Sequence, residues 1–113
     1  MVRGFEMKRV YNKLVRDKIP EIIEKNGEKA ITKILDNNEY WNSLLEKVKE
    51  ELYEIETAEN LDETKKELAD LIEVVRAMAE NKGFSLSEII DEADEKVVKR
   101  GGFSDRTFLI GVE

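Results

Sequence analysis

Residues Trp41–Met78 read WNSLLEKVKEELYEIETAENLDETKKELADLIEVVRAM. Apolar residues recur at helical spacing on either side of a polar stretch near Asn60–Asp62. Trp41, Leu44, Leu45, Val48, Leu52 and Ile55 form one stripe; Leu68, Leu71, Ile72, Val75 and Ala79 form the other. The pattern predicts two amphipathic helices joined by a turn. Each helix carries two carboxylates three residues apart, Glu51 with Glu54 and Glu67 with Asp70. At about 100° per residue, Glu51 and Glu67 lie about 80° from the centres of their stripes, and Glu54 and Asp70 about 140°. Both pairs fall on the same rotational side, whereas Glu50 points almost directly away. Four carboxylates therefore border the two apolar faces at matching angles, which is where helical bundles collect ligands from facing helices. Oxygen donors without imidazole suit a hard cation, Mg²⁺ with Mn²⁺ as substitute. Charged residues make up 40 % of the chain, so acidic pairs at this spacing also fit a solvated face bridged by Lys47, Lys49, Lys65 and Lys66. The matching rotation is what favours a metal site.

Composition narrows the chemistry. A chain of 113 residues predicts one domain over 1–113, large enough for a core of its own. The net charge of −7 disfavours nucleic acid as a bulk electrostatic partner. Cysteine and histidine are both absent, which removes disulfides, zinc-thiolate sites, Ser-His and Cys-His nucleophiles, and the Glu-x-x-His di-iron motif. No apolar run is long enough to span a membrane, and no signal-peptide segment opens the chain, so a cytoplasmic protein is expected. Abundant Lys and Glu point weakly to a thermophilic source.

Met1–Glu6 carry no pattern and read as a flexible extension, with Met7 an alternative start. The following KRVYNKLVRDKIPEIIEKNG (Lys8–Gly27) holds the most basic patch of an acidic chain. As phosphate contacts, Lys13 offers a point charge and Arg16 a fork; the alternative is a set of surface partners for the acidic helices. Pro20 suits the first turn of a short helix over Pro20–Asn26, and Gly27 its C-terminal cap. Lys29–Leu35 (KAITKIL) alternates apolar and polar residues, as a short strand or an extended lead into the next helix would. Asp36 or Asn38 caps the long helix beginning near Glu39. Ser85-Leu-Ser-Glu88 reads as a capping box opening a third long helix, with Leu86, Ile89, Ile90, Ala93 and Val97 as its stripe. Gly101-Gly102 ends that helix. Phe103 and Phe108–Val112 form a final extended segment that could pair with Lys29–Leu35 as a two-stranded β element. The expected fold is mainly α, an antiparallel helical bundle.

Glu50-Glu51-Leu-Tyr-Glu54 followed by Glu67-Leu-Ala-Asp70 resembles the EExxE…ExxD signature of the all-α nucleoside triphosphate pyrophosphohydrolases, which include MazG, the dimeric dUTPases and phosphoribosyl-ATP pyrophosphohydrolase. YNKLVRDKIPEII (Tyr11–Ile23) is the more specific match. It resembles the opening of a MazG-like, phosphoribosyl-ATP pyrophosphohydrolase-like subgroup, and KVVKRGGF (Lys96–Phe103) resembles its basic third block.

The resemblance implies Mg²⁺-dependent hydrolysis of a nucleoside triphosphate between the α- and β-phosphates, in a housecleaning role, with phosphoribosyl-ATP as the alternative substrate. A non-catalytic helical interaction module is the reading outside enzymology. Carried over by position, Glu51, Glu54, Glu67 and Asp70 match the family's Mg²⁺ ligands. Glu50 matches the remaining glutamate, which orients water or a second ion or holds the helices by a salt bridge. Lys96 and Arg100 match basic positions of the third block, and Asp94 a position near the nucleoside. Lys13, Arg16, Lys96 and Arg100 would contact the β- and γ-phosphates. The resemblance also implies a homodimer or homotetramer, and a few helices of this length leave an apolar face for a second copy to complete.

Overall fold

The computed structural model describes residues 9–113; the expected extension over Met1–Glu6 lies outside them. Four helices follow one another: α1 (Ile19–Lys25), α2 (Asn37–Thr57), α3 (Leu61–Asn81) and α4 (Leu86–Arg100). The chain divides into two compact units, Met1–Val74 and Val75–Glu113. No helix is long and apolar enough to cross a membrane among the described residues.

In the first unit, the ends of the helices are set by local chemistry. Pro20 sits in the first turn of α1, where its missing N–H costs no helical bond. Gly27 ends α1 at φ 87°. The Gly27 N–H donates to Glu24 O at 3.0 Å and the Glu28 N–H to Ile23 O at 3.3 Å, the paired bonds of a Schellman end. Asp36, not Asn38, caps α2. Its carboxylate accepts from the Glu39 N–H at 2.8 Å, and the Glu39 carboxylate accepts from the Asp36 N–H at 3.2 Å. At the start of α3 the Asn60 side chain accepts from the Glu63 N–H at 2.9 Å, while the Glu63 carboxylate accepts from the Glu59 N–H at 2.9 Å. Only residues 58–60 separate α2 from α3, so the two helices pack as an antiparallel hairpin.

The hairpin buries part of each stripe. Leu44 is 2 % exposed and Val74 is buried. Leu45, Leu52, Leu68 and Ile72 remain 39–54 % exposed, and Trp41 is half-buried. Two helices alone cover one side of each other's stripe and leave the far side open.

In the second unit, α3 ends at Gly83 with φ 87°. The Phe84 N–H reaches Ala79 O at 2.9 Å and the Gly83 N–H reaches Glu80 O at 3.1 Å, a second Schellman end. The Ser85 hydroxyl accepts from the Glu88 N–H at 3.1 Å and opens α4, which stops at Gly101.

The expected two-stranded β element does not form: among the described residues there is no strand. Lys29–Leu35 is an extended lead into α2, with Ile34 96 % exposed. Phe108, Leu109, Ile110 and Val112 are exposed as well. Alternation alone does not make a strand when neither segment has a ladder partner to satisfy its backbone.

Candidate metal and phosphate site

The site is built within the first unit. Glu51, Glu67 and Asp70 each present a carboxylate oxygen so that the three atoms lie within 4.8 Å of one another. The antiparallel hairpin brings this about. Glu51 lies on the border of the α2 stripe, Glu67 and Asp70 lie one turn apart on α3, and the short connection sets the register between them. Glu51 is only 9 % exposed, the one buried charged side chain among the described residues. Its Oε2 atom is buried and has no hydrogen-bond partner. Burial, then the adjoining Glu67 carboxyl and the charge of Asp70, push the Glu51 carboxyl up to about 7, against a smaller opposing pull from Lys47. A buried carboxylate with an unpartnered oxygen, grouped with two more carboxylates, is costly unless it takes up a proton or a cation comes to the group. The donor set, all oxygen and all hard, fits Mg²⁺ or Mn²⁺.

Glu54 lies one turn beyond Glu51 on α2, exposed, and outside the group of three. Glu50 faces another way, as its rotation predicts. Lys13 Nζ donates to Glu50 Oε1 at 3.1 Å, and Lys47 Nζ lies 3.3 Å from the same carboxylate. Burial alone would raise the Glu50 carboxyl, but hydrogen bonds and charge from Lys13 and Lys47 outweigh it and hold it below the usual range. Arg16 Nη2 donates to Asp70 Oδ1 at 2.7 Å. The two basic residues singled out in the N-terminal block therefore rest on the acidic hairpin. Asn12, between Tyr11 and Lys13, has a left-handed backbone at φ 46°, a conformation asparagine tolerates better than most residues. Lys47, with its side chain 19 % exposed, was not among the expected site residues. The signal lay in its spacing: it precedes Glu50 by three residues and Glu51 by four, on the face between them. Asp94, Lys96 and Arg100 lie on α4 in the second unit, all three exposed.

The family model for phosphoribosyl-ATP pyrophosphohydrolase matches residues 13–97, from Lys13 through the first three helices and into α4 as far as Val97. The chain belongs to that family. Its members are divalent-metal-dependent pyrophosphohydrolases acting on nucleotides, and the three-carboxylate group is a donor set of the kind such chemistry uses. An uncharacterized protein of Mycolicibacterium smegmatis is 41 % identical over 49 residues, which cover 43 % of this chain and 50 % of the relative. The chain thus matches about half the length of that relative. No solved structure matches it.

Proposed function

We propose that this chain hydrolyses a nucleoside triphosphate between its α- and β-phosphates, releasing the monophosphate and pyrophosphate, with Mg²⁺ as cofactor. The observation that carries the reading is the convergence of carboxylate oxygens from Glu51, Glu67 and Asp70, together with a buried, unpartnered oxygen on Glu51. Carboxylates serving only as solvated surface gain nothing from crowding together, and repulsion would keep them apart. A bound divalent ion supplies the positive charge that lets a polyphosphate approach this acidic cluster and eases loss of a proton from water.

Within that reading, Glu51, Glu67 and Asp70 would hold the ion, with Glu54, exposed one turn further along α2, as the fourth carboxylate that the resemblance implies. Glu51, deepest in the group, also orients the attacking water. Glu50 acts by position: its pairs with Lys13 and Lys47 tie the N-terminal segment to α2, which we take as its main role in catalysis. Lys13 and Arg16 steady the outgoing β- and γ-phosphates from the N-terminal segment, while Lys96, Arg100 and Asp94, on α4, keep the phosphate and nucleoside roles that the resemblance implies. The half-exposed Leu45, Leu52, Leu68 and Ile72 support association into a homodimer or homotetramer.

The substrate we favour is a (d)NTP removed in housecleaning, because the Tyr11–Ile23 block resembles the broader MazG-like subgroup. A second reading, phosphoribosyl-ATP, is favoured by the family that matches residues 13–97. One experiment tests both. The purified chain is incubated with Mg²⁺ and each (d)NTP or phosphoribosyl-ATP, and pyrophosphate release is followed. Turnover of one or more (d)NTPs is expected. Turnover of phosphoribosyl-ATP alone would select the second reading, and no turnover of any substrate would leave a non-catalytic helical module.

A further inference from the structure

Arg16 does not wait in solvent for a phosphate. Its guanidinium sits 2.7 Å from Asp70 Oδ1, on one of the three carboxylates that form the candidate metal group. We propose, resting on the metal-site reading above, that Arg16 is a resident counter-ion of Asp70 that a divalent ion displaces. Its release then frees the arginine for the incoming phosphate.

The argument is one of charge and reach. A doubly charged ion among these carboxylates would lie within a few ångströms of the guanidinium, and like charges at that range repel strongly in a partly desolvated site. The Arg16 side chain is 59 % exposed and its residue lies in the non-helical segment before α1, so it turns away without disturbing the hairpin core. A phosphate offers the fork a bidentate partner, whereas Asp70 receives a single short hydrogen bond. Arg9 supplies the control: its Nη2 atom donates to both oxygens of Glu28 at 2.6 and 2.7 Å, and Glu28 is outside the carboxylate group. If the ion expels the arginine and the phosphate captures it, each ligand favours the other, by reciprocal linkage.

The test titrates the metal-free full chain with Mn²⁺ alone in a calorimeter. Arg16→Ala should bind Mn²⁺ about fivefold more tightly than the unaltered chain, the worth of one exposed ion pair. Arg9→Ala removes the same charge and should change the affinity less than about twofold. A second measurement uses the unaltered chain. In nitrogen-detected NMR the Arg16 guanidinium should rotate slowly without metal and freely at saturating Mg²⁺. Equal effects of Arg16→Ala and Arg9→Ala would overturn the proposal. So would weaker Mn²⁺ binding by Arg16→Ala, which would make the arginine an orienting partner of a ligated Asp70, or an Arg16 signal still hindered at saturating Mg²⁺. Mn²⁺ binding that requires Glu51 and Asp70 but ignores Arg16 removes this inference and leaves the metal site standing. No Mn²⁺ binding at all, or undiminished binding by Glu51→Gln and Asp70→Asn, removes both.

Discussion

Glu51 holds a carboxyl that the fold keeps short of water, with its Oε2 atom left without a hydrogen-bond partner. Its carboxyl titrates near 7 instead of the ordinary 4.5, so between those values the folded chain keeps a proton that the unfolded chain has lost. Stability from this group is therefore fully present below about pH 4.5 and lost as pH rises toward 7. The metal-free protein should lose up to about 3 kcal/mol between pH 5 and pH 8, read as a falling midpoint in urea titrations with chelator present. Glu51→Gln should flatten that slope, because a neutral amide has no proton to lose. Glu50 works in the opposite sense. Its carboxyl is held low by Lys13 and Lys47, so its contribution is present above the usual carboxylate range and fades only in acid. Glu51→Gln and Asp70→Asn should each lower pyrophosphate release at least about 100-fold while far-ultraviolet circular dichroism stays that of the parent, since what is lost is charge placed on the ion and not packing.

The hairpin of α2 and α3 sets the spacing of the carboxylates, so what fixes its helices fixes the site. The reciprocal box between Asp36 and Glu39 satisfies two donors at the start of α2. Asp36→Ala should cost about 1 kcal/mol and lower the Tm by about 4 °C, with kcat little changed, because the cap lies at the far end of α2 from Glu51. Leu44 is the most deeply buried side chain described, and Leu44→Ala should cost about 3 kcal/mol through the cavity it leaves. That loss would loosen the α2–α3 contact itself, so Mn²⁺ affinity should fall along with the Tm, and calorimetry on the same sample reads both.

Across the described chain, the buried apolar side chains are Leu44, Val74 and Ala79, although 41 % of the sequence is hydrophobic. So small a core leaves the exposed flank of the hairpin as the surface for a second copy. Light scattering should find a dimer or tetramer at micromolar concentration, and Leu52→Glu combined with Leu68→Glu should shift it toward monomer; a monomeric parent would overturn the association we propose. The spacing of apolar residues was enough to read the three long helices, and Pro20 with Gly27 the short one, because a 3.6-residue period, a capping side chain and a glycine stop are all written within a few positions of one another. The caps at Gly27 and Ser85 were legible for the same reason, whereas the sequence left Asp36 and Asn38 as alternatives for α2 and expected a reciprocal box at Ser85 of which only the Ser85 hydroxyl's bond forms. The alternation in Lys29–Leu35 left a short strand and an extended lead both open, since a strand is defined by a partner elsewhere in the chain and no local pattern supplies one; the extended lead is what forms. The rotation of Glu51, Glu54, Glu67 and Asp70 about their helices was likewise written in the sequence, and so was the separation of Glu50 from that set, though not its half-burial against Lys13 and Lys47. The tertiary structure alone decided which of these carboxylates meet, that Glu51 is the one driven out of water, and that Arg16 and Lys13 lie on Asp70 and Glu50. Those facts depend on the register between two helices and on where an irregular segment comes to rest, and such distances come from packing between residues far apart in the chain, not from the order of neighbours along it.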